Sequence, residues 1–219
     1  MKKALLLMAL FAGSLLSANA QDHLSAYVKP GEVKQLAIQL ANDLNDYTAF
    51  QMTINLPEGM TFAGDPVLSN RKDAHQVHFK KSDDNKTMTV ATFSFEEADG
   101  VKTGNLAFKN KKGAVLLVDV NVTGTFKETS CDVSGITVSN VEFVKKSDLT
   151  GSDLALASQG KLGDVNGDKK LDTVDATLIL MKSGSMTFTG TYNEEAQDVD
   201  CDGVLNTVDA TEVLLETLR

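Results

Sequence analysis

Asp164-Val-Asn-Gly-Asp-Lys-Lys-Leu-Asp-Thr-Val-Asp-Ala-Thr177 returns 34 residues later as Asp198-Val-Asp-Cys-Asp-Gly-Val-Leu-Asn-Thr-Val-Asp-Ala-Thr211. Oxygen-bearing side chains occupy the first, third, fifth, ninth and twelfth places of each copy. In the first copy they are Asp164, Asn166, Asp168, Asp172 and Asp175; in the second, Asp198, Asp200, Asp202, Asn206 and Asp209. At the seventh place Lys170 and Val204 can offer a backbone carbonyl, and at the eighth Leu171 and Leu205 are expected to pack inward. Each copy continues with apolar residues at three-to-four spacing, Ala176, Ile179 and Leu180 or Ala210, Val213 and Leu214, which predicts a helix. Neither helix is long enough to bury its stripe alone, so the two copies are expected to pack on each other.

A hard divalent cation takes six to eight oxygens, and alternating side chains on a tightly turning loop aim them at one point. The duplicated spacing therefore predicts two calcium ions, one per loop. Without metal each carboxylate cluster repels itself, so ion binding is expected to be coupled to folding. Lys169 stands at the sixth place, where Gly usually relieves the sharp turn. A left-handed backbone there costs a non-Gly residue roughly 1 kcal/mol, so the first site is expected to be the weaker. Gly160 to Gly163 and Thr187 to Tyr192 are poor helix sequence, so each unit is a loop followed by an exiting helix.

Upstream the periodicity changes to two. Leu36, Ile38 and Leu40, then Phe50, Met52, Ile54 and Leu56, then Val118, Val120 and Val122 alternate with polar or small residues. Further strands are expected over residues 24–28, 76–80, 86–95 and 136–144, with a bulge between Val141 and Val144. Short strands and polar turns predict an all-β antiparallel two-sheet sandwich over residues 21–157. Residues 158–163 read as a linker, and residues 164–219 as a small all-α domain. At the start, Lys2 and Lys3, the apolar run Ala4 to Leu16 and Ala18-Asn19-Ala20 read as a signal peptide over residues 1–20, implying a secreted or periplasmic protein. No later stretch has the length of a membrane span.

The formal charge of -9 becomes -11 once the two signal lysines are removed, which argues against a nucleic-acid partner. From Lys161 to Arg219 five basic residues face twelve acidic ones, a local excess that calls for cations.

The duplicated segment resembles the dockerin family, whose members carry two such loop-helix units with Asp at the twelfth place. The resemblance covers residues 163–219 and implies a small helical fold held by two calcium ions that docks onto a cohesin. It also implies that the tenth and eleventh places, Thr173-Val174 and Thr207-Val208, help to choose the partner. Both copies present the same pair, similar to the near two-fold symmetry that lets some dockerins bind in two orientations. Upstream, Val28-Lys29-Pro30-Gly31-Glu32, Tyr47-Thr48-Ala49-Phe50-Gln51 and Leu56-Pro57-Glu58-Gly59-Met60 resemble the cohesin or related carbohydrate-binding sandwich superfamily, which implies a cohesin-like jelly roll. A cohesin-like sandwich and a dockerin-like tail in one chain would let the tail of one molecule bind the sandwich of the next. The six-residue linker spans at most ~22 Å. Contact between molecules is therefore expected to prevail over closure onto the chain's own sandwich.

No constellation adds up to an enzyme. His75 and His78 should point to opposite faces of a strand and read as surface residues, far from His23. Glu96, Glu97 and Asp99 read as an acidic turn rather than a glycosidase pair. The chain has no Gly-x-Ser-x-Gly and no phosphate-cradling glycine loop. Cys131 and Cys201 either form an interdomain bridge or stay free thiols. A glycan is the alternative ligand of the sandwich, although the chain has no Trp to stack on a sugar.

Overall fold

The computed structural model describes residues 21–98, 101–104, 106–123 and 133–219. The expected signal peptide, Asp99 and Cys131 lie outside them. Twelve strands come first: β1 (His23–Lys29), β2 (Gln35–Ala41), β3 (Tyr47–Asn55), β4 (Met60–Phe62), β5 (Val67–Leu68), β6 (His75–Lys81), β7 (Thr87–Ala98), β8 (Val101–Gly104), β9 (Ala114–Val122), β10 (Thr137–Lys145), β11 (Gly151–Ser152) and β12 (Leu156–Lys161). Then come α1 (Thr173–Ser183), a single 3-10 turn at Glu194–Ala196, and α2 (Thr207–Thr217).

The strands make two sheets. One runs β12-β1-β2-β9-β4 with β5 also on β9; the other runs β11-β10-β3-β7-β6 with β8 on β7. Between them lies a core drawn from the alternating residues, including Leu36, Ile38, Leu40, Phe50, Met52, Ile54, Val118 and Val120. Burying such a set is the main drive for closing the sandwich. The expected bulge region is bracketed by two register shifts, between Ser139 and Glu142, where Asn140 adopts a left-handed φ of 50°, and between Val144 and Lys145. Glu96 and Glu97 lie in strand β7, paired with Thr103 and Lys102, rather than in a turn. His78 is exposed, but His75 is buried, its ring 4.0 Å from that of Phe108. Burial lowers the His75 imidazole from its ordinary value.

Residues 158–163, expected as a linker, mostly belong to β12, which pairs with β1 in parallel and makes the only parallel ladder among the described residues. The Gly-bearing sequence hid this strand, because an edge strand needs backbone pairing more than apolar side chains. Its end delivers the chain directly over the outer face of the first sheet. There Tyr27, Ala37 and Ala114 join Leu162, Val165, Leu171, Ile179, Val199 and Val213 in a second apolar cluster. Closure onto the chain's own sandwich, which a six-residue linker would restrict, is thus what the strand brings about. β1 and β2 each bury five consecutive residues, one face in the core and the other beneath the tail.

Candidate metal centre

Each ligand loop is shaped by its own side chains. Asp172 and Asn206 cap the N-termini of α1 and α2, accepting from Val174 N and Val208 N at 2.7 and 2.6 Å. Asp175 and Asp209 complete capping boxes and reach back to the start of their loops. Asp175 accepts from Val165 N at 3.0 Å and Asp209 from Val199 N at 2.7 Å. The twelfth-place Asp therefore ties the loop's beginning to the helix that follows it, and both are fully buried. Asp164 accepts from Gly167 N at 2.9 Å, and Asp198 from Gly203 N at 3.0 Å, closing each turn.

The backbone corrects the expectation that the first loop alone is strained. Each loop has left-handed residues at its fourth and sixth places: Gly167 (φ 75°) and Lys169 (φ 65°) in the first, Cys201 (φ 62°) and Gly203 (φ 85°) in the second. One Gly and one non-Gly residue serve each loop, with the order exchanged, so the penalty of roughly 1 kcal/mol falls on both. Leu180 and Leu214, expected in the buried stripes, stay exposed. α1 and α2 meet through Ala176, Ile179, Ala210 and Val213, and the next position turns away from that seam.

In the second loop, ligand oxygens of Asp198, Asp200 and Asp202 come within 4.8 Å of one another. Asp198 Oδ1 is buried with no hydrogen-bond partner among the described residues. Burial pushes the Asp198 carboxyl up to about 7, helped by repulsion from Asp209, Asp200 and Asp202 and opposed by the Gly203 amide. Burial likewise carries Asp175 up to about 6 and raises Asp164 and Asp209. Oxygen donors crowded around an orphaned buried carboxylate oxygen fit a hard divalent cation, whose charge would relieve each of these stresses. Asp164, Asn166, Asp168, Asp172, Asp175 and the Lys170 carbonyl would hold one ion. Asp198, Asp200, Asp202, Asn206, Asp209 and the Val204 carbonyl would hold the other.

Several residues that position this centre escaped the sequence reading. Glu216 of α2 is 1% exposed and lies against Lys34 Nζ (2.5 Å), Lys161 Nζ (3.1 Å) and Arg219 Nη1 (2.8 Å), with Gly31 N donating at 3.2 Å. Burial alone would raise its carboxyl, but these cations bring it down to about 2. Its position three residues after Val213, on the buried stripe of α2, was the available signal. Glu195 accepts from Ser25 and Ser158 at 2.6 and 2.5 Å and contacts His23, a second polar clasp between tail and sheet. Arg71, 1% exposed, donates to Leu40, Lys109, Asn110 and Gly113 carbonyls and to Asn42 Oδ1 at 2.7–3.0 Å. It thereby fixes the loops on which the second ligand loop rests.

Among solved structures, the chain is similar to a non-cellulosomal cohesin of Archaeoglobus fulgidus (12% identity, 65% of this chain, 88% of that chain, TM-score 0.42). It is also similar to the second type II cohesin module of a cellulosomal adaptor scaffoldin of Acetivibrio cellulolyticus (8% identity, 65% and 97%, TM-score 0.43). A third is the cohesin module of a Clostridium perfringens family 33 glycoside hydrolase (11% identity, 64% and 96%, TM-score 0.41). No curated protein matches the chain. In the segment that carries both ligand loops and both helices, residues 162–214 match the family model of the dockerin type I domain.

Proposed function

We propose that the chain is an exported, non-catalytic interaction component that binds two calcium ions through its tail and docks onto a cohesin-bearing partner. Its setting in this reading is an extracellular assembly for polysaccharide breakdown. The observation that carries the proposal is the face the tail leaves free. Val174 and Val208 remain 52% and 46% exposed, Leu180 and Leu214 43% and 38%, at matching places of the two repeats and beside exposed Thr173 and Thr207. Large apolar side chains exposed in matched sets suit a partner surface. The dockerin match supports cohesin as the partner class, and the oxygen set supports calcium. Among the described residues no helix is long and apolar enough to cross a membrane. The domain boundary in this reading falls after Lys161, where β12 ends. Calorimetric titration with a cohesin-bearing protein tests the proposal. Binding in calcium and none in EDTA is expected; no binding in calcium, or binding that survives EDTA, overturns it.

The cohesin can also be the sandwich of a second copy. Closure within the chain uses the first sheet, leaving the outer face of β10-β3-β7-β6 and the tail's apolar face both available. Sedimentation in calcium tests this, and a monomer at high concentration rules it out. A glycan is the second reading for the sandwich. On that same outer face the rings of His78 and Phe93 lie parallel, 5.3 Å apart at 7°, a flat platform of the kind sugars stack on. Glycan-array binding lost on Phe93→Ala would favour it.

A further inference from the structure

The two ligand loops are nearly identical in sequence but differ in surroundings. The sandwich holds the second loop through Lys29 Nζ, which donates to the Asp200 carbonyl at 3.0 Å, and Asn70 Nδ2, which donates to the Asp202 carbonyl. Gly203 also lies against Asn70 and Asn110, so that a Cβ there would stand 3.5 Å from Asn110 Nδ2. Gly113 lies against Asp198, and a Cβ at Gly113 would stand 3.7 Å from Asp198 Oδ2. Asn70 adjoins Arg71, whose guanidinium fixes the Gly113 and Asn110 carbonyls, so this part of the sandwich is rigid. Both carbonyls that the sandwich takes are ones the ligand pattern does not use. The grip therefore does not compete with the metal. In the first loop, by contrast, Val165 and Leu171 pack in the apolar cluster with Tyr27, Ala37 and Ala114, but the hydrogen bonds of Asn166 and Asp168 stay within the loop.

The Asp198 carboxylate, whose Oδ2 faces Gly113, has its Oδ1 buried with no donor among the described residues. A buried carboxylate oxygen in that state is costly. A cation satisfies it in place, in a loop whose Asp200 and Asp202 carbonyls the sandwich already holds. We propose that occupation of the second loop and docking of the tail onto its own sandwich are thermodynamically linked, more strongly than occupation of the first loop. The inference rests on the calcium reading given above. Linkage is reciprocal, so docking strengthens metal binding at the second loop by the factor by which metal strengthens docking.

The test uses the full mature chain with calcium as the probe. Asp168→Ala and Asp202→Ala remove the fifth-place ligand of the first and second loop. In saturating calcium, small-angle scattering should find the Asp168→Ala chain as compact as wild type and the Asp202→Ala chain expanded. In the reverse direction, an Asn70→Ala/Lys34→Glu chain, altered only in the sandwich, should bind one of its two calcium ions about tenfold more weakly and the other much less affected. Equal radii for the two ligand variants overturn the linkage, as do two steps that weaken equally or both hold. A wild-type chain that takes up no calcium overturns the ion assignment itself. Two ions bound with no difference between the variants overturn the linkage alone.

Discussion

Replacing Glu216 by Ala should loosen the tail from the sandwich without touching a ligand loop. In the folded chain this carboxyl sits at about 2, against an ordinary 4.5, because Lys34, Lys161 and Arg219 outweigh the cost of its burial. That lowering corresponds to about 3 kcal/mol. Screening at Lys34 and Arg219, 18% and 32% exposed, reduces it to about 2 kcal/mol. A loss of that size shifts the docking equilibrium about 30-fold towards the open chain. Calorimetry of wild type in calcium should show tail and sandwich melting together, and E216A should show an earlier, separate transition for the tail. The pH dependence has a definite sign. A carboxyl held below its unfolded value stabilises the fold above about pH 4.5, and this contribution is lost as pH falls through about 2. The difference between wild type and E216A should therefore be constant near neutrality and close between about pH 4.5 and 2. A single unchanged transition in E216A, or a difference that grows on acidification, would mean that the Glu216 clasp does not hold the tail on the sandwich.

Chelation of calcium should strip helicity from the tail and leave the strand signal of the sandwich, read by circular dichroism in EDTA; unchanged helicity counts against the ligand loops. A Val174→Asp/Val208→Asp chain should lose calcium-dependent partner binding while its melting temperature stays within a degree or two of wild type, since both side chains are about half exposed. A large fall in melting temperature would mean these residues hold the fold rather than a partner. Arg71→Met should cost the sandwich ~3 kcal/mol, because the Leu40, Lys109 and Asn110 carbonyls and the Asn42 oxygen lose this donor, while the Gly113 carbonyl keeps the Leu40 amide. Its melting temperature should drop by roughly 10 °C, and a drop of only a degree or two would show that water replaces the guanidinium.

Local chemistry was legible in the chain before any fold was known. A period of two placed Leu36, Ile38, Phe50, Met52 and Ile54 in the core of a sandwich, since side chains on a strand alternate between faces. The five-place oxygen spacing, repeated at an offset of 34, marked the ligand loops, because which side chains can converge on a short turn depends on the turn itself. Tertiary structure decided what lay between these units. Residues 156–161 carry no strong strand pattern, yet they form β12 because β1 offers it an open edge. Ala114-Val115-Leu116-Leu117-Val118 breaks the alternation, and the reason appears only once Ala114 and Leu117 are seen to face the tail. The equal strain of the two loops and the grip of Lys29 and Asn70 on the second are likewise products of assembly. Glu216 meets Lys34 across 182 positions of sequence, and no local periodicity encodes which distant charges the packing of two surfaces brings together.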